Sequence, residues 1–285
     1  MTNEKLNLEI ELENKIFTLV GMSGCGKTTL SQKLANEGFF HYSIDYEIAH
    51  THMQKQIRQF VIDKIKLESK YFKELHETFA VKLELSLTFD DLALITMFVI
   101  PENENGKIPF GKFLENQRFY KESELLATKI FHKKAQIAFE NYNSTGFISD
   151  ATGSICEVAL EDVPESKELL RLIREKSRLV FIQTDDSHKD LLIARSKEKV
   201  KPILYNHQFL MQNLAEFYKM ENFPPEFEID KAFFIQLFPK LLDFRKENYE
   251  QLVKEANGIA VNSSEIEKVK TVKDFIKIVF VFQGF

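Results

Sequence analysis

A chain of 285 residues, 44% hydrophobic and 28% charged, is long enough to bury a sizeable core without covalent staples. Its two cysteines, Cys25 and Cys156, are too far apart for a CxxC site or zinc ribbon and fit a reducing compartment. A net charge of −5 argues against bulk attraction to nucleic acid or to an anionic membrane.

The first residues, 1–13, are polar and acidic, unlike a signal peptide, and no window approaches the ~20 apolar residues that span a bilayer. A cytoplasmic location is therefore expected. Asn7–Leu12 alternates polar and apolar residues and predicts an edge strand. Lys15–Val20 (KIFTLV) is the first strong strand, followed by Phe39–Ile44, Gly146–Ser149, Arg178–Gln183 and Gly258–Val261. Each is short and rich in β-branched or aromatic residues, as strands covered on both faces require. Helical patterns lie between them. The alternation predicts an α/β fold, a three-layer sandwich on a five-stranded parallel sheet, with residues 1–285 as one domain. Two helical blocks, about 50–112 and about 206–243, exceed simple crossovers and read as insertions. The apolar runs Leu92–Pro101 and Phe275–Phe282 read as buried elements.

Gly21-Met-Ser-Gly-Cys-Gly-Lys27-Thr28 matches GxxxxGK[ST], the Walker A pattern, between a strand and a helical stretch. Glycines let the loop wrap an anion, so that backbone N–H groups of Ser23, Gly24, Cys25, Gly26, Thr28 and Thr29 and the helix N-terminus face phosphates. Lys27 supplies a mobile positive charge, and the Thr28 hydroxyl a magnesium ligand. ATP and Mg2+ are thus the expected cofactors. Cys25 lies inside the loop, open to whatever binds there, as a candidate reactive thiol. Asp45 follows the second strand. It is either a catalytic carboxylate that accepts or orients an acceptor hydroxyl, or a helix N-cap. Asp150 ends an apolar run beside the P-loop strand and is either a magnesium anchor or a turn residue. His50 and His52 would point to different sides of a helix, and the other histidines are scattered.

Residues 17–47, FTLVGMSGCGKTTLSQKLANEGFFHYSIDYE, resemble the start of a shikimate kinase. Ala151-Thr-Gly-Ser154 is similar to that family's acceptor loop. Residues 194–204 resemble its lid, and Arg245-Lys-Glu-Asn-Tyr249 its Arg-x-x-x-Tyr turn. The resemblance implies a P-loop kinase passing the γ-phosphate of ATP to a hydroxyl of a small metabolite. It implies that Asp45, Thr152, Gly153, Ser154 and Arg245 meet the acceptor, with Arg245 binding a carboxylate or phosphate on it. Arg195 and Lys201 become lid cations, and Arg195 also a candidate stack on adenine. Ser43 stands where the family has the first Asp of an acidic pair and is a candidate holder of magnesium-bound water. The chain departs again at Phe119-Tyr120, where the family has Phe-Arg, and at Lys201, where the lid has arginine. Two rival readings follow. In one, a nucleotide-dependent regulatory module meets a protein partner through its insertions. In the other, a nucleoside or nucleotide kinase lines a base pocket with Phe60, Phe72 or Tyr120.

Overall fold

A computed structural model describes residues 15–86, 93–184, 186–198 and 204–281. The expected edge strand at 7–12 and the lid residue Lys201 lie outside them. Five strands form the sheet: β1 (Lys15–Val20), β2 (Phe39–Ser43), β3 (Gly146–Asp150), β4 (Arg178–Gln183) and β5 (Ile259–Asn262). Their order is β2-β3-β1-β4-β5, and every pairing is parallel. The five strands expected from sequence within the described residues are present, shifted by no more than one residue at any end.

Parallel pairing demands helical crossovers, and these cover both faces. Helix α1 (Lys27–Ala35) connects β1 to β2. Between β2 and β3 run α2 (Gln54–Glu68), α3 (Phe110–Lys129) and α4 (Phe131–Tyr142). Beyond β3 come α5 (Pro164–Lys176), α6 (Asp186–Glu198), α7 (His207–Tyr218), α8 (Lys231–Glu255) and α9 (Val272–Val281). On one face Phe17 and Leu19 of β1 meet Leu30 and Leu34 of α1 and Phe275 of α9. On the other, Phe147 and Phe181 pack with Ala135 of α4, Leu169 of α5 and Tyr249 of α8. Alternate strand residues thus feed two cores, the signature of a three-layer sandwich.

The apolar run at 92–101 is a helix over Ala93–Val99, and the run at 275–282 belongs to α9. Helix α8 passes straight through residue 243, the expected end of the second insertion, to Glu255. It therefore carries Arg245 from the insertion into the core. Ile108–Pro109 and Glu228–Ile229 form a small antiparallel pair that ties the two helical blocks together. Among the described residues no helix is long and apolar enough to cross a membrane.

Candidate functional site: the P-loop and its neighbours

In open parallel sheets, ligands bind at the carboxyl ends of the strands, where the crossover direction switches. Here that switch falls at β1, between β3 and β4, and Gly21–Thr28 joins β1 to α1 there. Gly26 caps α1 in the left-handed region, φ 96°, and Gly21 has φ 145°. A Cβ on Gly21 would lie 2.7 Å from the Ile182 carbonyl oxygen, so the loop closes only with glycine there. The Lys27 ammonium donates to the carbonyls of Gly21 at 2.8 Å and Met22 at 3.1 Å. It is buried, folded back across the mouth of its own loop. The fold is that of a P-loop NTPase.

Leu19, Asp150 and Ser43 stand in register across β1, β3 and β2, so the strand ends set Asp150 and Ser43 next to the loop. The Thr28 hydroxyl donates to Asp150 Oδ2 at 2.8 Å. A hydroxyl and a carboxylate in contact are the hard oxygen donors that magnesium takes, so these two residues fit that ion. His41 Nε2 lies 3.3 Å from the same carboxylate oxygen. In the sequence the signal for this histidine is its place two residues before Ser43 on β2, on the same face of the strand.

Ser43 holds an extended conformation and its Oγ accepts from the Tyr46 N–H, so Ser43 is the helix cap. Asp45 therefore lies in the first turn with its carboxylate released from capping. Burial and the nearby Asp150 charge raise its pKa to about 6, against the pull of Lys27. Tyr120 Oη donates to Asp45 Oδ1 at 3.4 Å.

The loop Thr152–Ser154 comes up against the P-loop, since a Cβ on Gly153 would sit 3.2 Å from the Ser23 nitrogen. Both hydroxyls donate to Glu124 of α3, Ser154 at 2.8 Å and Thr152 in a shorter contact. Glu124 is wholly buried, and desolvation lifts its pKa to about 7. Its signal in the sequence was a polar row on α3, Asn116, Tyr120, Glu124 and Thr128, spaced by one helical turn.

Arg245 differs from expectation. Its Nε donates to Glu157 Oε1 at 2.5 Å and its Nη2 to the Leu204 carbonyl at 2.7 Å. The guanidinium lies in the core against a buried carboxylate, which is where a desolvated arginine must find its counter-charge. Tyr249, one turn on, donates to the Gly153 carbonyl at 2.9 Å. The Arg-x-x-x-Tyr face thus props the Thr152–Ser154 loop from beneath.

Cys25 also departs from expectation. It is 3% exposed and packs with the α1 core, and burial raises its pKa, so its thiol faces inward. A Cβ on Gly24 would lie 3.1 Å from the Leu192 side chain of α6, and Arg195 stands exposed one turn further along. Phe60 lines a cavity of about 610 Å3 with Gln56, Phe98, Asn116, Arg118 and Phe119. Tyr120 instead reaches Asp45, and Phe72 lies against His76, so the three aromatics do not form one base pocket.

A family model described as the NB-ARC domain matches residues 2–91, under a third of the chain. A shikimate kinase from Acinetobacter baumannii in complex with shikimate is 14% identical, covering 97% of this chain and 99% of that one, with a TM-score of 0.44. A shikimate kinase from Bacteroides thetaiotaomicron is 13% identical, covering 94% and 96%, with a TM-score of 0.37. No curated protein matches the chain. Solved structures similar to the chain thus include members of the family its motifs resemble, and the sheet order and the loop carry the fold by themselves.

Proposed function

We propose that the chain is an ATP- and magnesium-dependent kinase that transfers the γ-phosphoryl group of ATP to a hydroxyl of a small metabolite. The supporting observation is the position of Asp45, at the end of β2, where it is coupled electrostatically to both Lys27 and Asp150 of the nucleotide end. A carboxylate with a pKa near 6 is ionised at neutral pH and basic enough to take a hydroxyl proton.

In this reading Lys27 leaves the Gly21 and Met22 carbonyls for the phosphates. Backbone N–H groups of residues 23–29 hold the anion. Thr28 and Asp150 would hold magnesium, which neutralises phosphate charge when bound, with Ser43 at the edge of that set. The acceptor oxygen bonds to the γ-phosphorus, ADP leaves, and the hydroxyl proton passes to Asp45. Thr152, Gly153 and Ser154 shape the acceptor side. Arg195 and Lys201 are the lid cations for the transferring group, and adenine lies against Arg195.

A second reading, a nucleotide-dependent regulatory module with a protein partner, is favoured by one observation: Arg245 is spent on Glu157. An acceptor screen with ATP separates the two. Wild type is expected to turn over an acceptor. Asp45→Asn is expected to lower kcat at least about a hundredfold, as loss of a general base does, and Lys27→Ala to abolish turnover. Turnover unchanged in Asp45→Asn would remove that residue from the mechanism. ATP binding without any acceptor turnover would favour the regulatory reading.

A further inference from the structure

One polar group at the nucleotide end has no part in the transfer step. His41 Nε2 lies 3.3 Å from Asp150 Oδ2, the oxygen that also accepts from the Thr28 hydroxyl. A carboxylate only accepts, so this contact requires a proton on Nε2. Two donors from two elements therefore converge on one oxygen, Thr28 from the first turn of α1 and His41 from β2. Among the described residues no hydrogen bond reaches Asp150 Oδ1, which leaves that oxygen for the ion or for water bound to it.

Strand register brings the pair together. His41 stands opposite Ile148 and Ser43 opposite Asp150, so alternation puts all four on one face of the sheet. That face is otherwise apolar. Phe39, two residues before His41, packs there with Leu30, Leu34 and Ile148. The side chains of His41 and Asp150 are only 9% and 5% exposed. A carboxylate in such surroundings is costly without donors, and each hydrogen bond to it counts for more than in water.

The two donors differ in what a nucleotide asks of them. Thr28 belongs to the loop that takes up the phosphates, and its oxygen is the one that turns to the ion. A hydroxyl that gives a lone pair to a cation keeps its proton, so its bond to Asp150 survives. His41 belongs to a strand paired directly with β3, and it holds Asp150 from the side that the loop does not control.

We propose that His41 is the positioning residue of the magnesium site: its Nε2 proton fixes Asp150 Oδ2 and so sets the carboxylate where, with Thr28, it holds the ion. The inference rests on the magnesium assignment of the kinase reading and deepens it. His41 acts through Asp150 and handles no proton of the acceptor.

The test is calorimetric titration with ATP, with and without Mg2+, at one fixed pH, on wild type, Asp150→Asn, His41→Phe and His41→Gln. Phenylalanine keeps a flat, strand-forming ring and removes the donor; glutamine keeps an N–H donor. His41→Phe is expected to bind ATP alone as wild type does, while the gain in affinity from Mg2+ falls about tenfold or more. His41→Gln should keep most of that gain. A merely structural role would weaken binding alike with and without Mg2+ and leave the gain fixed, which would overturn the assignment. Equal loss of the gain in both His41 variants would overturn the donor role. A gain unchanged in His41→Phe but abolished in Asp150→Asn overturns the inference and leaves the magnesium site standing. A gain unchanged in Asp150→Asn overturns both. Should His41→Phe not fold, the ring nitrogens of His41 in 15N-labelled wild type decide. A proton on Nε2 whose resonance shifts when Mg2+ joins ATP is expected; a bare Nε2, or a resonance that ignores Mg2+, overturns the proposal.

Discussion

Glu124 has its carboxylate shut inside the protein between two hydroxyls, and that placement makes stability depend on pH. Its ordinary pKa of 4.5 rises to about 7 in the fold, chiefly by desolvation. The groups facing it are Thr152, Ser154, Asp45 and Arg245. Asp45 rises from 3.8 to about 6 by burial and by Asp150, opposed by Lys27 and Tyr120. Between these limits the folded chain binds more protons than the unfolded one. Stability from both acids is fully present below about pH 4 and is lost as pH rises through about 6 for Asp45 and about 7 for Glu124. Urea unfolding measured from pH 5 to 8 should therefore show stability falling across that range from this cause. Glu124→Gln should flatten the fall by an amount on the order of a few kcal/mol. An unchanged slope would mean that Glu124 carries no raised pKa. Asp45 is a candidate from sequence alone, because it follows a strand beside a P-loop. Glu124 shows in the sequence only as one member of a polar row on α3, because a buried acid on a helix looks like any exposed one until its partners on another element are known.

At the scale of elements, α8 decides how the acceptor loop is held. Arg245 and Tyr249 share one face of that helix, at the i, i+4 spacing. The first bonds Glu157 and Leu204; the second bonds Gly153. The Glu157 carboxylate also accepts from the Asn206 N–H, so one buried pair fixes the chain on the far side of the lid segment as well. Removing one member leaves the other charged, desolvated and unpaired. Arg245→Met is expected to cost about 3–5 kcal/mol in chemical denaturation, and Arg245→Met with Glu157→Leu to recover most of that loss. A double variant as unstable as the single one would show that the pair is not what links these elements. The Arg245 and Tyr249 spacing is visible in the sequence, where it reads as a ligand contact. An arginine that binds a ligand and one that binds a buried glutamate have the same local signature; only the burial of Glu157 distinguishes them.

Over the whole molecule, the five strands were legible because parallel strands covered on both sides must be short apolar runs. In the order β2-β3-β1-β4-β5 the P-loop strand takes the centre. The helical stretch between β2 and β3 is expected from sequence, but its depth is not, since α3 buries Asn116, Gln117, Ser123, Glu124 and Thr128, residue types that read as a solvent face. The second layer is held differently, by aromatic packing. Phe275 of α9 is fully buried and meets Phe17 edge-on at 5.1 Å. Phe275→Ala is expected to cost about 3–5 kcal/mol, read as a lowered denaturation midpoint. A loss below about 1 kcal/mol would mean that α9 is not integral to the sandwich.

The central claim is that the end of this sheet holds the phosphates of a nucleotide through Lys27, with magnesium on Thr28 and Asp150. Calorimetric titration with ATP, with and without Mg2+, on wild type, Lys27→Ala and Asp150→Asn tests it most directly. The account predicts binding by wild type, a loss of about a hundredfold or more in affinity for Lys27→Ala, and, for Asp150→Asn, binding that no longer strengthens when Mg2+ is added. Equal affinity in wild type and Lys27→Ala, or no binding by wild type, would contradict it.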